Sequence, residues 1–400
     1  MIVDLHAHYP MHVVDSDGSV VRLLRTRGGR RRLRDRVRAL LVGFASLFAN
    51  YRSPFSGPRV QVRYMREGGV TVALSVLYSF FDEADALDGA RPDGDYPATI
   101  EDQLEAVERE VEREHAGEAA VARNPTEMSA AAGRGATVLV HCVEGGFHLG
   151  ATPDQIELTV RRLARRGVAY ITLAHLIWRE VATNAPALPF LSEEQYHRYL
   201  PQPDVGLSDL GRAAVDAMVR ERILIDVSHM SGRALTETFE MLDGYDETVP
   251  VLATHAGYRF GEQSYMLDRP TLERIAGCGG VVGLIFAQHQ LYDGIPAGAL
   301  HRHGLRARKS KRFGESFDIL CRHIDAIRDV TGSHRHTAIG TDFDGFIKPT
   351  LAGLQDMRDM SRLEHRLRRR YGDEEAARIC SQNALDLLNR YWRGRPADAG

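Results

Sequence analysis

The sequence predicts an α/β fold, a (β/α)8 TIM barrel with a helical insertion after its first strand, on three observations. Eight short apolar, β-branched runs recur along the 400 residues, stretches of helical period lie between most of them, and imidazole or carboxylate side chains stand at the ends of five of them. Strand alternating with helix implies parallel βα units. Eight such units in a chain of this size favour a closed barrel over an open doubly wound sheet.

The strand-like runs are Ile2 to Leu5, Val70 to Leu77, Thr137 to Val140, Val168 to Leu173, Ile223 to Val227, Val249 to Ala253, Val281 to Phe286 and Thr337 to Gly340. The helical stretches are Thr99 to His115, Pro153 to Arg166, Ser208 to Arg222, Arg233 to Leu242 and Thr271 to Ala276, each with apolar residues at helical spacing. The glycine clusters in Gly133 to Gly135 and Gly277 to Gly280 precede strands instead of opening helices. They therefore read as turns and not as a dinucleotide fingerprint.

Two excursions interrupt the alternation. Residues 12–60 contain the arginine-dense stretch Arg22 to Arg38 and then apolar Ala39 to Ala49, read as a solvated helical face carrying a cap over the barrel. Phe286 to Phe313, rich in His, Arg and Gly, follows the seventh barrel strand, where loops commonly set substrate choice. A single domain over residues 1–393 is expected, with a flexible tail at 394–400.

The composition, 44% hydrophobic and 26% charged with a net charge of −3, is that of an ordinary globular protein with a large core. A near-neutral chain with a pI near 6.6 has no field that would draw nucleic acid or anionic lipid, so neither partner is expected. Cys142, Cys278, Cys321 and Cys380 show no C-x-x-C pair, which argues against a disulfide framework or a thiolate metal site. The chain opens on a strand without the basic and apolar regions of a secretory signal, so a cytoplasmic location is expected.

The candidate site residues are His6 and His8 in "DLHAH", Glu144 in "HCVEGG", His229 in "DVSHMS", His255 in "VLATH" and Asp342 in "IGTDFDG". One histidine after a strand is ordinarily a satisfied structural residue; recurrence at the same point of five strands indicates a shared metal site. Residues two apart in a strand point the same way, so His6 and His8 form a pincer. Imidazole suits zinc, Glu144 would bridge two ions, and His229 and His255 would complete the second position. Two such ions hold a bridging hydroxide and polarise a carbonyl, while Asp342 would take up a proton and pass it to a leaving nitrogen. The bland alternatives are a turn or N-cap role for Asp342, which Asp344 fits better, and a loop acid at Glu144. Gly145 and Gly146 point to a tight backbone that accommodates a buried carboxylate.

Taken in order, "EGG" with nearby His148, "LAH" at Leu173 to His175, "DVSHMS", "ATHAGYR" and "GTDFDG" resemble the membrane (renal) dipeptidase family, peptidase family M19 of the amidohydrolase superfamily, over nearly the whole chain. The resemblance implies two zinc ions per chain, hydrolysis of dipeptides or related small amides, and a homodimer. It implies metal ligands at His6, His8, Glu144, His229 and His255, an acid at Asp342 beside the bridging water, and a histidine at His175 that contacts substrate or stabilises the tetrahedral intermediate. Arg259 and His148 are the further candidates for substrate contact.

The sequence departs from that family at two places. His6-Ala7-His8 stands where the family usually has His-x-Asp, and Ser264 and Tyr265 stand near the point where the family places an arginine for the substrate carboxylate. A lactonase or other small-molecule amidohydrolase on the same metal frame is therefore the second enzymatic reading. A catalytically silent scaffold is the third, and the complete ligand set argues against it, because a buried cluster of this kind destabilises the fold without metal.

Overall fold

The computed structural model describes residues 1–13, 58–83, 96–188, 191–295, 312–345 and 350–394. Among these residues nine strands form one parallel sheet: β1 (Ile2–Ala7), β2 (Val70–Leu77), β3 (Ala119–Val121), β4 (Thr137–Glu144), β5 (Tyr170–Thr172), β6 (Leu224–Asp226), β7 (Val251–Ala256), β8 (Val281–Leu284) and β9 (Thr337–Ile339). The order is β2-β1-β9-β8-β7-β6-β5-β4-β3, and β2 also pairs with β4. That last pairing closes eight strands into a barrel, and these eight are the eight expected runs.

The ninth strand, β3, lies outside the barrel circuit. It pairs with the start of β4 at Thr137 to Leu139, and β5 takes the same edge of β4 further along at Val143 and Glu144. Two alanines and one valine carry too little β-branched character to announce a strand in sequence.

Strands β2 and β4 are buried at nearly every position, as expected where side chains fill the barrel on one side and helices cover it on the other. The covering helices follow from local chemistry. In Pro153–Arg165, Ile156, Thr159, Val160, Leu163 and Ala164 are buried, one stripe at three- and four-residue spacing. Thr152 caps its start by accepting from the Gln155 amide, and Pro153 follows at the first helical position. Ser208, Ser231 and Asp268 cap Asp209–Glu221, Gly232–Leu242 and Arg269–Gly277 in the same way.

Further helices, among them Val62–Gly68, Pro125–Gly133, Phe313–Thr331 and Met360–Tyr371, complete the shell. No described helix is long and apolar enough to cross a membrane, and the four cysteines are free. The cap expected at 12–60 falls largely on residues 14–57, the tail on 395–400 and the second excursion on 296–311, all outside the described residues.

Because every strand runs the same way, the carboxyl ends of the barrel strands open on one face. Two of those ends are irregular. Pairing slips between Asp4 and Ala7 in β1 and between Ala253 and Ala256 in β7, the stretches that carry His6 and His255. A bulge of this kind re-aims the side chain it carries.

Candidate metal centre

At the open face the candidate residues meet. His6 Nε2 lies 3.3 Å from His8 Nε2, and His229 Nε2 lies 2.9 Å from His255 Nε2. Between the two pairs stands the Glu144 carboxylate. Its Oε1 is 3.3 Å from His6, 3.4 Å from His255 and 3.7 Å from His229, and its Oε2 is 3.4 Å from His8. Glu144 is 1% exposed and neither oxygen has a hydrogen-bond partner.

An unsatisfied buried carboxylate costs several kcal/mol, about the penalty of an uncompensated ion, and this one is ringed by nitrogen lone pairs. The donor atoms also group as a cation would require. His6, His8 and Glu144 form one set and Glu144, His229 and His255 a second, with the carboxylate shared. A third set, His6, Asp226 and His255, satisfies the same distances, but Asp226 is already saturated. Its Oδ1 accepts from Ser228 N, Ser228 Oγ and Thr254 N, and its Oδ2 from Thr172 Oγ1 and Thr254 Oγ1.

The network behind the imidazoles fixes which nitrogen faces the centre. Thr254 Oγ1 gives its proton to Asp226, so it can only accept from His6 Nδ1 at 2.9 Å and His255 Nδ1 at 2.8 Å. The Tyr170 hydroxyl donates to Leu5 O and likewise faces His6 Nδ1. Both rings therefore carry the proton on Nδ1 and present Nε2 as a lone pair. Burial and the neighbouring imidazoles push His6, His229 and His255 well below the usual histidine range, and burial lowers His8. Neutral imidazole is the form that ligates a metal.

This network yields a first prediction. Thr254→Val keeps the shape of the side chain and removes the shared acceptor, so metal affinity is expected to fall by about 10- to 100-fold. Competition against a chelator measures it, and an unchanged affinity would refute the role of Thr254.

Asp342 Oδ1 lies 3.2 Å from His8 Nε2 and 3.8 Å from His6 Nε2. Its backbone sits at φ 55°, that of Asp344 at 65° and that of His229 at 65°, a left-handed conformation unusual for these residues and concentrated here at the site. Gly345 makes the room, since a Cβ there would meet Asp342 Oδ1 at 1.7 Å. Asp344 instead ties in a distant segment, accepting from the amides of Arg59 and Val60. Gly145, at φ 96°, opens the tight backbone expected behind Glu144.

His175 comes to the centre from beyond β5, with Nε2 3.5 Å from Glu144 Oε2. Its Nδ1 meets Glu83 Oε2 at 2.6 Å. Burial disfavours its charge, but the Glu144 and Glu83 carboxylates outweigh that and raise it to about 9. Glu83, Tyr78, Thr254 and Asp226 are the residues that sequence reasoning missed. Asp226 is visible in "DVSH", three residues before His229; Glu83 gives no local signal, being 92 residues from its partner.

Two substrate-contact candidates are placed elsewhere. The Arg259 guanidinium donates to Met266 O at 2.7 Å and Ser264 O at 2.9 Å and pairs with Asp268 at 3.5 Å. These contacts tether the 264–268 segment and commit the guanidinium to two backbone carbonyls. His148 is buried one layer out, its ring meeting Tyr78 at 6.3 Å, and Tyr78 in turn meets His8 and His175. Tyr265 does reach the centre, with its ring 4.9 Å from His229 and its hydroxyl donating to His255 O.

The sequence model of the membrane dipeptidase family, peptidase family M19, matches residues 37–391, a stretch that begins after His6 and His8. Among curated proteins, the chain is 28% identical over 205 residues to an uncharacterized dipeptidase of Schizosaccharomyces pombe, covering 51% of this chain and 41% of that one. It is 25% identical over 282 residues to dipeptidase 3 of Rattus norvegicus, covering 68% and 49%. The chain thus spans about half the length of the curated relatives it matches. Among solved structures, dipeptidase AC, a metallopeptidase of family M19, superposes with a TM-score of 0.66 at 20% identity, covering 98% of both chains. A metallopeptidase from Rhodobacter sphaeroides, liganded with a phosphinate mimic of the dipeptide L-Ala-D-Ala, gives 0.67 at 19% identity, covering 98% of this chain and 99% of that one. At these identities the likeness concerns the fold.

Proposed function

Because the chain belongs to the membrane dipeptidase family of metallopeptidases, we propose that it is a binuclear zinc hydrolase that cleaves the amide bond of dipeptides or dipeptide-like metabolites. The observation that carries the reading is the orphaned Glu144 carboxylate, shared between two imidazole pairs. His6 and His8 would hold one ion, His229 and His255 the other, and Glu144 both. This donor set of four imidazoles and one bridging carboxylate suits zinc.

When bound, the two ions supply the Lewis acidity that activates water and polarises the scissile carbonyl. The protein's own groups do the rest. Asp342, beside His8 and His6, is the base that takes a proton from the attacking water and later delivers it to the leaving nitrogen. His175 donates its Nε2–H to the oxygen that gains charge as the carbonyl becomes tetrahedral. Thr254, Asp226 and Tyr170 hold the ligand rings in their donor orientation.

The relative crystallised with an L-Ala-D-Ala mimic supports including L,D-dipeptides among the substrates. A second reading, an amidohydrolase acting on substrates without a free carboxylate, is favoured by the commitment of Arg259 to the 264–268 segment and by Tyr265 standing beside His229. One experiment separates the two: metal content per chain, with hydrolysis of L,L- and L,D-dipeptides and of their carboxyl-blocked analogues. About two zinc ions and cleavage of the free dipeptides are expected, with activity removed by chelation and restored by zinc. Cleavage of blocked amides or lactones alone would establish the second reading, and a protein that takes up no metal would refute both.

A further inference from the structure

Glu83 is fully buried, and three donors converge on it. Its Oε2 accepts from the Tyr78 hydroxyl at 2.5 Å and meets His175 Nδ1 at 2.6 Å, while its Oε1 accepts from the Ile177 amide at 2.8 Å. Tyr78 and Glu83 come from the segment after β2, whereas His175 and Ile177 come from the segment after β5. The link therefore spans the barrel mouth past Glu144, which ends β4. The His175 ring is also gripped edge-on from two directions, by Tyr78 at 4.5 Å and by His229 at 4.5 Å.

We propose that Glu83 is the positioning residue for His175, accepting from its Nδ1–H and so aiming its second N–H, at Nε2, into the centre. The inference rests on the role given to His175 above. An ionised carboxylate can only accept, so the ring nitrogen facing it must donate. That leaves Nε2, 3.5 Å from Glu144 Oε2, as the atom turned toward the reacting group. Glu83 touches neither substrate nor ligand atoms in this scheme and acts through the orientation of the ring.

The arrangement requires a carboxylate, and an isosteric amide cannot replace it. Three donors share two accepting oxygens at Glu83, and glutamine offers one oxygen. If that oxygen stays on the Ile177 amide, the NH2 group faces Tyr78 and His175. His175 then has no acceptor for its Nδ1–H, and the ring loses the partner that orients it. If the amide is flipped, the Ile177 N–H faces an NH2 group and the segment bearing His175 loses its anchor.

The test uses full-length, zinc-loaded protein and the variants Glu83→Gln and Glu83→Asp. It reads three quantities: bound metal, the imidazole nitrogen signals of His175 by NMR (assigned with His175→Gln), and kcat and KM on the dipeptide the native protein cleaves fastest. For Glu83→Gln, kcat is expected to fall at least about 100-fold, as for loss of an oriented donor, with KM within about threefold. Bound metal should be unchanged, and the Nδ1–H signal of His175 should be lost.

Glu83→Asp retains the charge on a shorter arm, so the Nδ1–H form should persist and kcat recover at least about tenfold over the glutamine variant. Retention of the Nδ1–H signal and of kcat in Glu83→Gln would overturn the proposal. So would loss of metal together with activity, which would make Glu83 a support of the metal site. Should Glu83→Gln fail to fold, Glu83→Ala decides: kcat at least about tenfold below native with KM and metal held supports the proposal, and native kcat overturns it. A native protein that cleaves no dipeptide would refute the proposed activity, whereas the His175 signal tests the positioning role without turnover.

Discussion

Glu144→Gln is expected to lower bound metal from about two ions to at most one per chain and to reduce hydrolysis by more than about 1,000-fold. The substitution preserves shape and removes both the charge and one of the two oxygens that the imidazole pairs surround. An NH2 group there would repel a cation, and by donating to an imidazole lone pair it would occupy a nitrogen that a cation needs. The metal-free variant carries a second signature. Glu144 is buried and has no hydrogen-bond partner, so the metal-free native protein bears the cost of that carboxylate and the variant does not. Metal-free Glu144→Gln should therefore melt higher than the metal-free native protein, although the metal-loaded native protein melts higher than both. Metal analysis and thermal unfolding with and without a chelator check this, and undiminished metal content in the variant would remove Glu144 from the bridging position.

Asp342→Asn separates proton transfer from metal binding. The side chain keeps its size, and Gly345 still leaves it room, but an amide takes up no proton at neutral pH. A positioned general base typically contributes about 100- to 10,000-fold, so kcat should fall within that range. Bound metal should stay at the native level and KM should move only about severalfold, since the group acts in the transition state more than in binding. Steady-state kinetics with metal analysis on the same preparation decides it. Loss of metal in parallel with activity would instead make Asp342 a ligand, a role its 3.2 Å approach to His8 Nε2 would then explain.

The sequence by itself determined the barrel and the place of its chemistry. The eight β-branched runs became the eight barrel strands, and the Thr152, Ser208 and Asp268 caps mark helix starts that local hydrogen bonding alone specifies. Once strands are parallel, their carboxyl ends must share one face, so His6, His8, Glu144, His229, His255 and Asp342 converge wherever the barrel closes. Their meeting followed from periodicity and position.

What surrounds them was decided only in three dimensions. That Thr254 accepts from both His6 and His255 because its proton goes to Asp226, that Glu83 meets His175 across 92 residues, and that Arg259 is spent on the carbonyls of Ser264 and Met266 are outcomes of competition among donors and acceptors. Strand and helix patterns arise from interactions a few residues apart and are legible along the chain. The partner a buried hydrogen-bonding group takes depends on which strands and loops closure brings within about 3 Å, and the order of residues does not encode that distance.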